Sequence, residues 1–313
     1  MALLMNALPS NPKAWIIAAR PQTLPAGVAP VLVGTGIAID KGYFAIGPAI
    51  AAFLGAILIQ IGTNFANDYY DAMKGADTEE REGFTRVTQS GLIPPKQVRW
   101  AMILTFGLAM LDGIYLVLVG GMPILIIGIA SIIAGIAYTG GPLPLGYLGL
   151  GDVFVFVFFG VIAVIGTVYV QAVTTLPQLF PLGIHWQFIP SASIISSIAI
   201  GCITTNILVV NNIRDIETDK EAGKKTLAVR LGYRFSRLQY LSLLGIAYAV
   251  PIWLFVNGYS WAILLPEVTL PFAVILSYNV FQYRSGEKMD EMLKQTGMLL
   301  TSFSVFLTIG FIV

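Results

Sequence analysis

Charge is scarce in this 313-residue chain. Asp, Glu, Lys and Arg make up 11% of it, against about 25% in an ordinary water-soluble domain. Between Val153 and Asn212 there is none at all. With 56% hydrophobic residues and a mean hydropathy of +0.79, the composition excludes a soluble globular class and points to a chain dissolved in lipid. Cysteine is nearly absent: Cys202, in an apolar run, is the single thiol, which excludes a disulfide framework or a Cys-based metal site. Histidine is equally rare. His185, in QLFPLGIHWQF, is remote from every acidic motif and reads as interfacial. No basic n-region precedes the first apolar stretch, so MALLMNALPSNPKAW is not expected to be a cleavable signal. The net charge of +1 is uninformative by its size, and no nucleic-acid partner is expected.

What is present is apolar length. Runs long enough to cross about 30 Å of hydrocarbon lie roughly at 15–39, 44–66, 98–119, 121–138, 153–174, 191–212, 238–257, 261–281 and 295–313. The expected fold is therefore an all-α integral membrane protein, nine transmembrane helices in one bundle, with 1–313 forming a single domain. Nine spans place the N-terminus and the connections after spans two, four, six and eight on one face. Seventeen of the 18 Lys and Arg residues fall there, leaving only Lys41 on the other. The positive-inside rule then gives an N-in, C-out orientation.

Most of the remaining charge sits in two cytosolic loops, about 67–97 and 211–237. NDYYD (67–71) and NNIRD (211–215) align at an offset of 144 residues, each at the same end of an equivalent helix, so the chain carries an internal parallel pseudo-repeat. On a helix, Asn211, Asp215 and Asp219 stack at i, i+4 and i+8; Asn67 and Asp71 repeat the spacing, and Asn64 and Asp68 form a second pair. Gly75 is placed to end the first helix and let Asp77 fold back. Carboxylates and amide oxygens converging in this way are hard ligands that suit Mg²⁺ shared with phosphate. Acids gathered at helix C-termini also oppose the macrodipole unless cations lie among them. Arg86, Arg214, Lys220, Lys224, Lys225 and Arg230 are then available to phosphate oxygens.

The sequence resembles the UbiA superfamily of membrane prenyltransferases along essentially its whole length. Asn67 to Asp71, with Asp77 two residues later than the general pattern, matches that superfamily's first Asp-rich motif; Asp215-x-x-x-Asp219 matches the second. RPQTLPAG (20–27), NFANDYYDAMKGAD (64–77), YTGGPLPLGYLGLGD (138–152) and NNIRDIETDKEAGKKTLAVRLG (211–232) look like the branch that prenylates dihydroxynaphthoate in quinone synthesis. Hydroxybenzoate prenyltransferases tend to carry basic residues after the fourth helix, where TGGPLPLGYLGLG has none.

The resemblance implies electrophilic aromatic substitution. Prenyl diphosphate would be held through Mg²⁺, two ions expected and Mn²⁺ an acceptable substitute, on Asn67, Asp68, Asp71, Asp77, Asn211, Asp215 and Asp219. Asp71, Asp215, Asp219, Asn67 and Asn211 would be the catalytic set. Substrate contacts are expected from Asn64, Lys74, Arg86, Arg214, Lys220, Lys225 and Arg230. Tyr69, Tyr70, Tyr138 and Tyr147 either shield an allylic cation or form an interfacial aromatic belt. Arg20 reads either as a contact to the acceptor carboxylate or diphosphate, or as a positive-inside anchor. Asp152 either touches the acceptor or caps a helix, and Asp112 is unassigned. The expected location is a bacterial inner membrane or its equivalent, with the site facing the cytosol. Alternatives are prenylation of hydroxybenzoate or homogentisate, and a secondary transporter. The last would place its acids near the midplane of an inverted repeat. A CDP-alcohol phosphotransferase would show D-G-x-x-A-R, which does not occur. Donor length and oligomeric state are not fixed by the sequence.

Overall fold

A computed structural model describes residues 12–75, 85–142, 144–177 and 179–313, and every regular element among them is helical. Helix α1 (Pro12–Ala19) leads through a short 3₁₀ turn into α2 (Leu24–Asp40). Then follow α3 (Ile46–Met73), α4 (Pro95–Ala137), α5 (Gly151–Thr175, with a π-helical stretch at Phe156–Ile162) and α6 (Ser191–Arg214). The short α7 (Ile216–Glu221) precedes α8 (Leu227–Val256), a 3₁₀ segment (Trp261–Thr269), α9 (Leu270–Gln282) and α10 (Glu287–Ile312). The chain is a multi-pass integral membrane protein, with eight helical segments among the described residues long and apolar enough to cross a bilayer.

The difference from nine lies in α4. Its 43 residues would run about 65 Å as a straight helix, twice the hydrocarbon thickness, but Gly121 interrupts it with φ 70°, ψ −153°. This is the Gly120-Gly121 link between the expected third and fourth spans. Backbone of the loop between α5 and α6 seals the break: Phe180 N donates to Leu118 O at 2.8 Å and Met122 N to Pro181 O at 2.9 Å. A Cβ at Gly121 would collide with the Pro181 backbone.

The α6 helix is the axis of the bundle. Its Ala199, Ile200, Ile203, Val210 and Ile213 pack in one core with residues of α2, α5, α8, α9 and α10. Small residues let helices meet closely, as where Gly160 of α5 faces the backbone of Gly201 on α6. A second core joins α1, α3 and the first half of α4 through Ala14, Phe65, Val98 and Phe106. Between the two cores the helices part and leave a cavity of about 670 Å³.

Candidate active site

Both acidic motifs lie at C-terminal helix ends, α3 and α6, and both line that cavity. Asn64, Asn67 and Asp71 come from α3; Asn211 and Asp215 from α6; Asp219 from α7. The expected i, i+4, i+8 stack is not one continuous helix, because α6 ends at Arg214 and Asp215 occupies the turn (φ −94°, ψ 10°) before α7. Asp219 N still donates to Asp215 O at 2.8 Å, so one turn separates the two carboxylates. Below this polar end the wall is apolar, with Val31, Ile59, Val117, Ile132, Phe158 and Ile162 among its residues.

Each of the three buried carboxylates in the cavity wall, Asp71, Asp215 and Asp219, meets a cation. Arg86 Nη2 lies 3.2 Å from Asp71 Oδ2, and Lys224 Nζ 3.1 Å from Asp219 Oδ1. Arg214 grips Asp215 through Nε at 2.7 Å and Nη2 at 2.9 Å, and reaches Asp290 at 2.6 Å. These pairs offset the unfavourable meeting of acids with helix C-termini.

The segment after α4 ties the motifs together. Tyr147 Oη donates to Asp71 Oδ1 at 2.7 Å, while the same ring lies 5.0 Å from Lys74 Nζ and 5.0 Å from Lys224 Nζ. Lys225 N donates to Tyr147 O, Lys74 Nζ to Thr139 O, and Thr139 Oγ1 to Asn67 Oδ1. Burial lowers the pKa of Lys74, and the nearby Asp71 charge opposes that fall.

Of the expected residues, Arg20, Asn64, Asn67, Asp71, Arg86, Tyr138, Tyr147, Asn211, Asp215 and Asp219 line the cavity together. Others are placed elsewhere. Asp68, expected as a metal ligand, accepts Thr88 N at 2.9 Å and Val87 N at 3.1 Å, so both its oxygens anchor the returning loop. Tyr69 packs edge-on to Tyr70. Arg214 faces Asp215, Asn211 and Asp290. Lys220 and Lys225 are exposed, and Arg230 donates to Leu148 O. Asp77 lies outside the described residues. Asp152 accepts from Gln239 Nε2 at 3.0 Å. Asp112, to which the sequence assigned no role, is by contrast in the cavity wall, with Oδ2 against Gly55. Sequence reasoning missed Thr23, Gln60, Thr139 and Asn212, which also line it. Gln60 alone had a signal, standing one helical turn before Asn64 on the same stripe.

An all-helical membrane bundle around an apolar cavity with acids, amides and cations at one end defines a class of membrane enzyme that handles a charged head on an oily tail. The chain belongs to the UbiA prenyltransferase family, whose model matches residues 27–303. It is 42% identical over 241 residues to the 1,4-dihydroxy-2-naphthoate octaprenyltransferase of Escherichia coli, covering 75% of this chain and 74% of that one. With the enzyme of the same name from Mycobacterium tuberculosis it shares 36% identity over 286 residues, covering 91% and 92%. Among solved structures, a UbiA homolog from Archaeoglobus fulgidus bound to DMAPP and Mg²⁺ superposes with a TM-score of 0.64 at 16% identity, covering 95% of this chain and 98% of that one.

Proposed function

We propose that this prenyltransferase moves an isoprenoid chain from a prenyl diphosphate onto 1,4-dihydroxy-2-naphthoate, releasing CO₂ and diphosphate and giving the corresponding demethylated quinol. One donor C–O bond breaks and its electron pair leaves with diphosphate. One ring C–C bond forms, and in net terms the prenyl group replaces the carboxylate. The observation that carries this reading is the convergence of both acidic helix ends on one end of an apolar cavity. The two naphthoate octaprenyltransferases above support the choice of acceptor. So does the stretch from Thr139 to Gly151, which offers no basic side chain.

The donor set fits Mg²⁺ in kind: three buried carboxylates, Asp71, Asp215 and Asp219, with the amides of Asn67 and Asn211, all hard oxygen ligands in one cavity. Among the described residues no three acidic, His or Cys side chains stand close enough to chelate one ion as placed, since each of these three acids is drawn to Arg or Lys. These five residues would hold the ions, two in number with Mn²⁺ able to substitute, and the metal supplies Lewis-acid neutralisation of the leaving group. Arg86 and Lys224, both in the cavity wall, then bind phosphate oxygens. The apolar walls take the isoprenoid tail and keep water from the allylic cation. Tyr138 and Tyr147 face that cation from the polar end. Two crossings of α4 would make nine in all, and the gathering of basic residues supports a cytosolic N-terminus and acidic site, in a bacterial inner membrane or its equivalent.

The deciding experiment offers membranes carrying the chain labelled prenyl diphosphate, Mg²⁺ and one acceptor at a time. Prenylated naphthoquinol, lost with EDTA and regained with Mg²⁺, is the expected product. Product from hydroxybenzoate or homogentisate alone would replace the acceptor in this reading. No product with any acceptor would end it.

A further inference from the structure

Beside the acidic cluster, the cavity wall contains a second polar group built from the turn before α2 and from α3. Arg20, Thr23, Gln60 and Asn64 all line the cavity. Arg20 holds a left-handed backbone, φ 51°, a costly conformation for a residue with a Cβ. Its carbonyl accepts the hydroxyl proton of Thr23 at 3.0 Å. Thr23 Oγ1 in turn accepts Gln60 Nε2 at 3.0 Å and Asn64 Nδ2 at 2.9 Å, while Asn64 Nδ2 also donates to Ala19 O at 2.9 Å.

That network fixes the orientation of both amides. A threonine hydroxyl has one proton, and this one is committed to Arg20, so Thr23 Oγ1 can only accept from its neighbours. Gln60 must therefore present its NH₂ to Thr23, and a flipped amide would set carbonyl against hydroxyl oxygen. Its Oε1 is left buried with no donor among the described residues, on a side chain only 7% exposed. Native proteins rarely leave such an acceptor unmatched except where strain, water or a ligand accounts for it.

We propose that Gln60 is a positioning residue for the aromatic acceptor, its Oε1 accepting a hydrogen bond from the ring 4-hydroxyl. The proposal rests on the naphthoate reading above. In 1,4-dihydroxy-2-naphthoate the 1-hydroxyl lies beside the carboxylate and is satisfied by it, so the 4-hydroxyl is the donor that needs a partner. Arg20 offers only donors and suits the carboxylate. A donor-only group and an acceptor-only group on one wall thus match the two unlike ends of this ring. A phenol without a carboxylate, or a naphthoic acid without the 4-hydroxyl, would satisfy one of them and leave the other bare.

The test measures Kd values for 1,4-dihydroxy-2-naphthoate and for 1-hydroxy-2-naphthoate, which lacks the 4-hydroxyl, on the detergent-purified full chain. Gln60→Leu should weaken the dihydroxy ligand roughly tenfold and leave the monohydroxy ligand and the KM for prenyl diphosphate unchanged. Thr23→Val, which frees the amide to rotate, should give a smaller loss with the same selectivity, and it stands in if Gln60→Leu fails to fold. Equal losses on both ligands, or none on either, would overturn the assignment. Selectivity is read against wild-type turnover: if the wild-type chain prenylates dihydroxynaphthoate and Gln60→Leu does not discriminate, only the Gln60 role falls. If the wild-type chain does not prenylate it, the naphthoate reading falls and takes this proposal with it.

Discussion

Asp71 and Asp68 sit three residues apart on α3 yet do different work. Asp71 lines the cavity and is shared by Arg86 and Tyr147, whereas Asp68 is spent on two loop amides. Asp71→Asn should lower turnover by on the order of 100-fold or more in the labelled-donor assay, with the loop left in place. Asp68→Asn should instead speed hydrogen exchange at the Val87 and Thr88 amides, because a neutral amide group has one acceptor oxygen where the carboxylate had two. Retained activity in the first variant, or unchanged exchange in the second, would reverse the assignments. The helical spacing made Asn67, Asp71, Asn211 and Asp215 legible in the sequence. It could not say which lysine of the Lys220–Lys225 stretch turns inward. Gly223, with φ 72°, reverses the chain so that Lys224 N reaches Asp219 O at 2.8 Å and its side chain follows. Gln60 was marked only by its place one turn before Asn64, and its role stayed hidden until its partner Thr23 in the preceding turn was known.

Hydropathy located the apolar middles of the helices but not their ends. The expected span 44–66 continues as helix to Met73, and the expected start at 238 lies 11 residues inside α8, which begins at Leu227 and breaks at Gly232. Helices run on into water on polar residues, where hydrogen bonding continues though hydropathy has fallen, so the acidic motif of α3 is helical, as its i, i+4 spacing and Gly75 had indicated. The Gly120-Gly121 break was readable, but not that the loop between α5 and α6 occupies the space of the missing side chain. Gly121→Ala meets both a positive φ and the Pro181 backbone. It should destabilise the protein by more than about 1 kcal/mol, seen as a lower thermal midpoint in detergent. An unchanged midpoint would mean that the loop does not hold the two halves of α4 together.

At the scale of the whole molecule, two motifs 144 residues apart in sequence are brought to one end of one cavity. The class of fold and the pairing of motifs were legible because charge in so apolar a chain has few places to go. The bridge made by Tyr147 was not, since nothing in GYLG marks a tyrosine set between two lysines. The closed pairs Asp71–Arg86 and Asp219–Lys224 carry a thermodynamic consequence. A divalent ion arriving alone would strand two guests of like sign, Arg86 and Lys224, in a poorly solvating wall; an oxyanion arriving alone would strand two carboxylates. Occupancy by either should therefore be the condition for the other, and by linkage the help must be mutual. Calorimetry with Mg²⁺ and a non-hydrolysable prenyl diphosphate analogue should show each tightening the other by about 5- to 150-fold. Affinities independent of one another would show that the pairs never open. If they do open together, the enzyme has a built-in safeguard: a lone metal ion or a lone lipid pyrophosphate passing through the membrane leaves it shut.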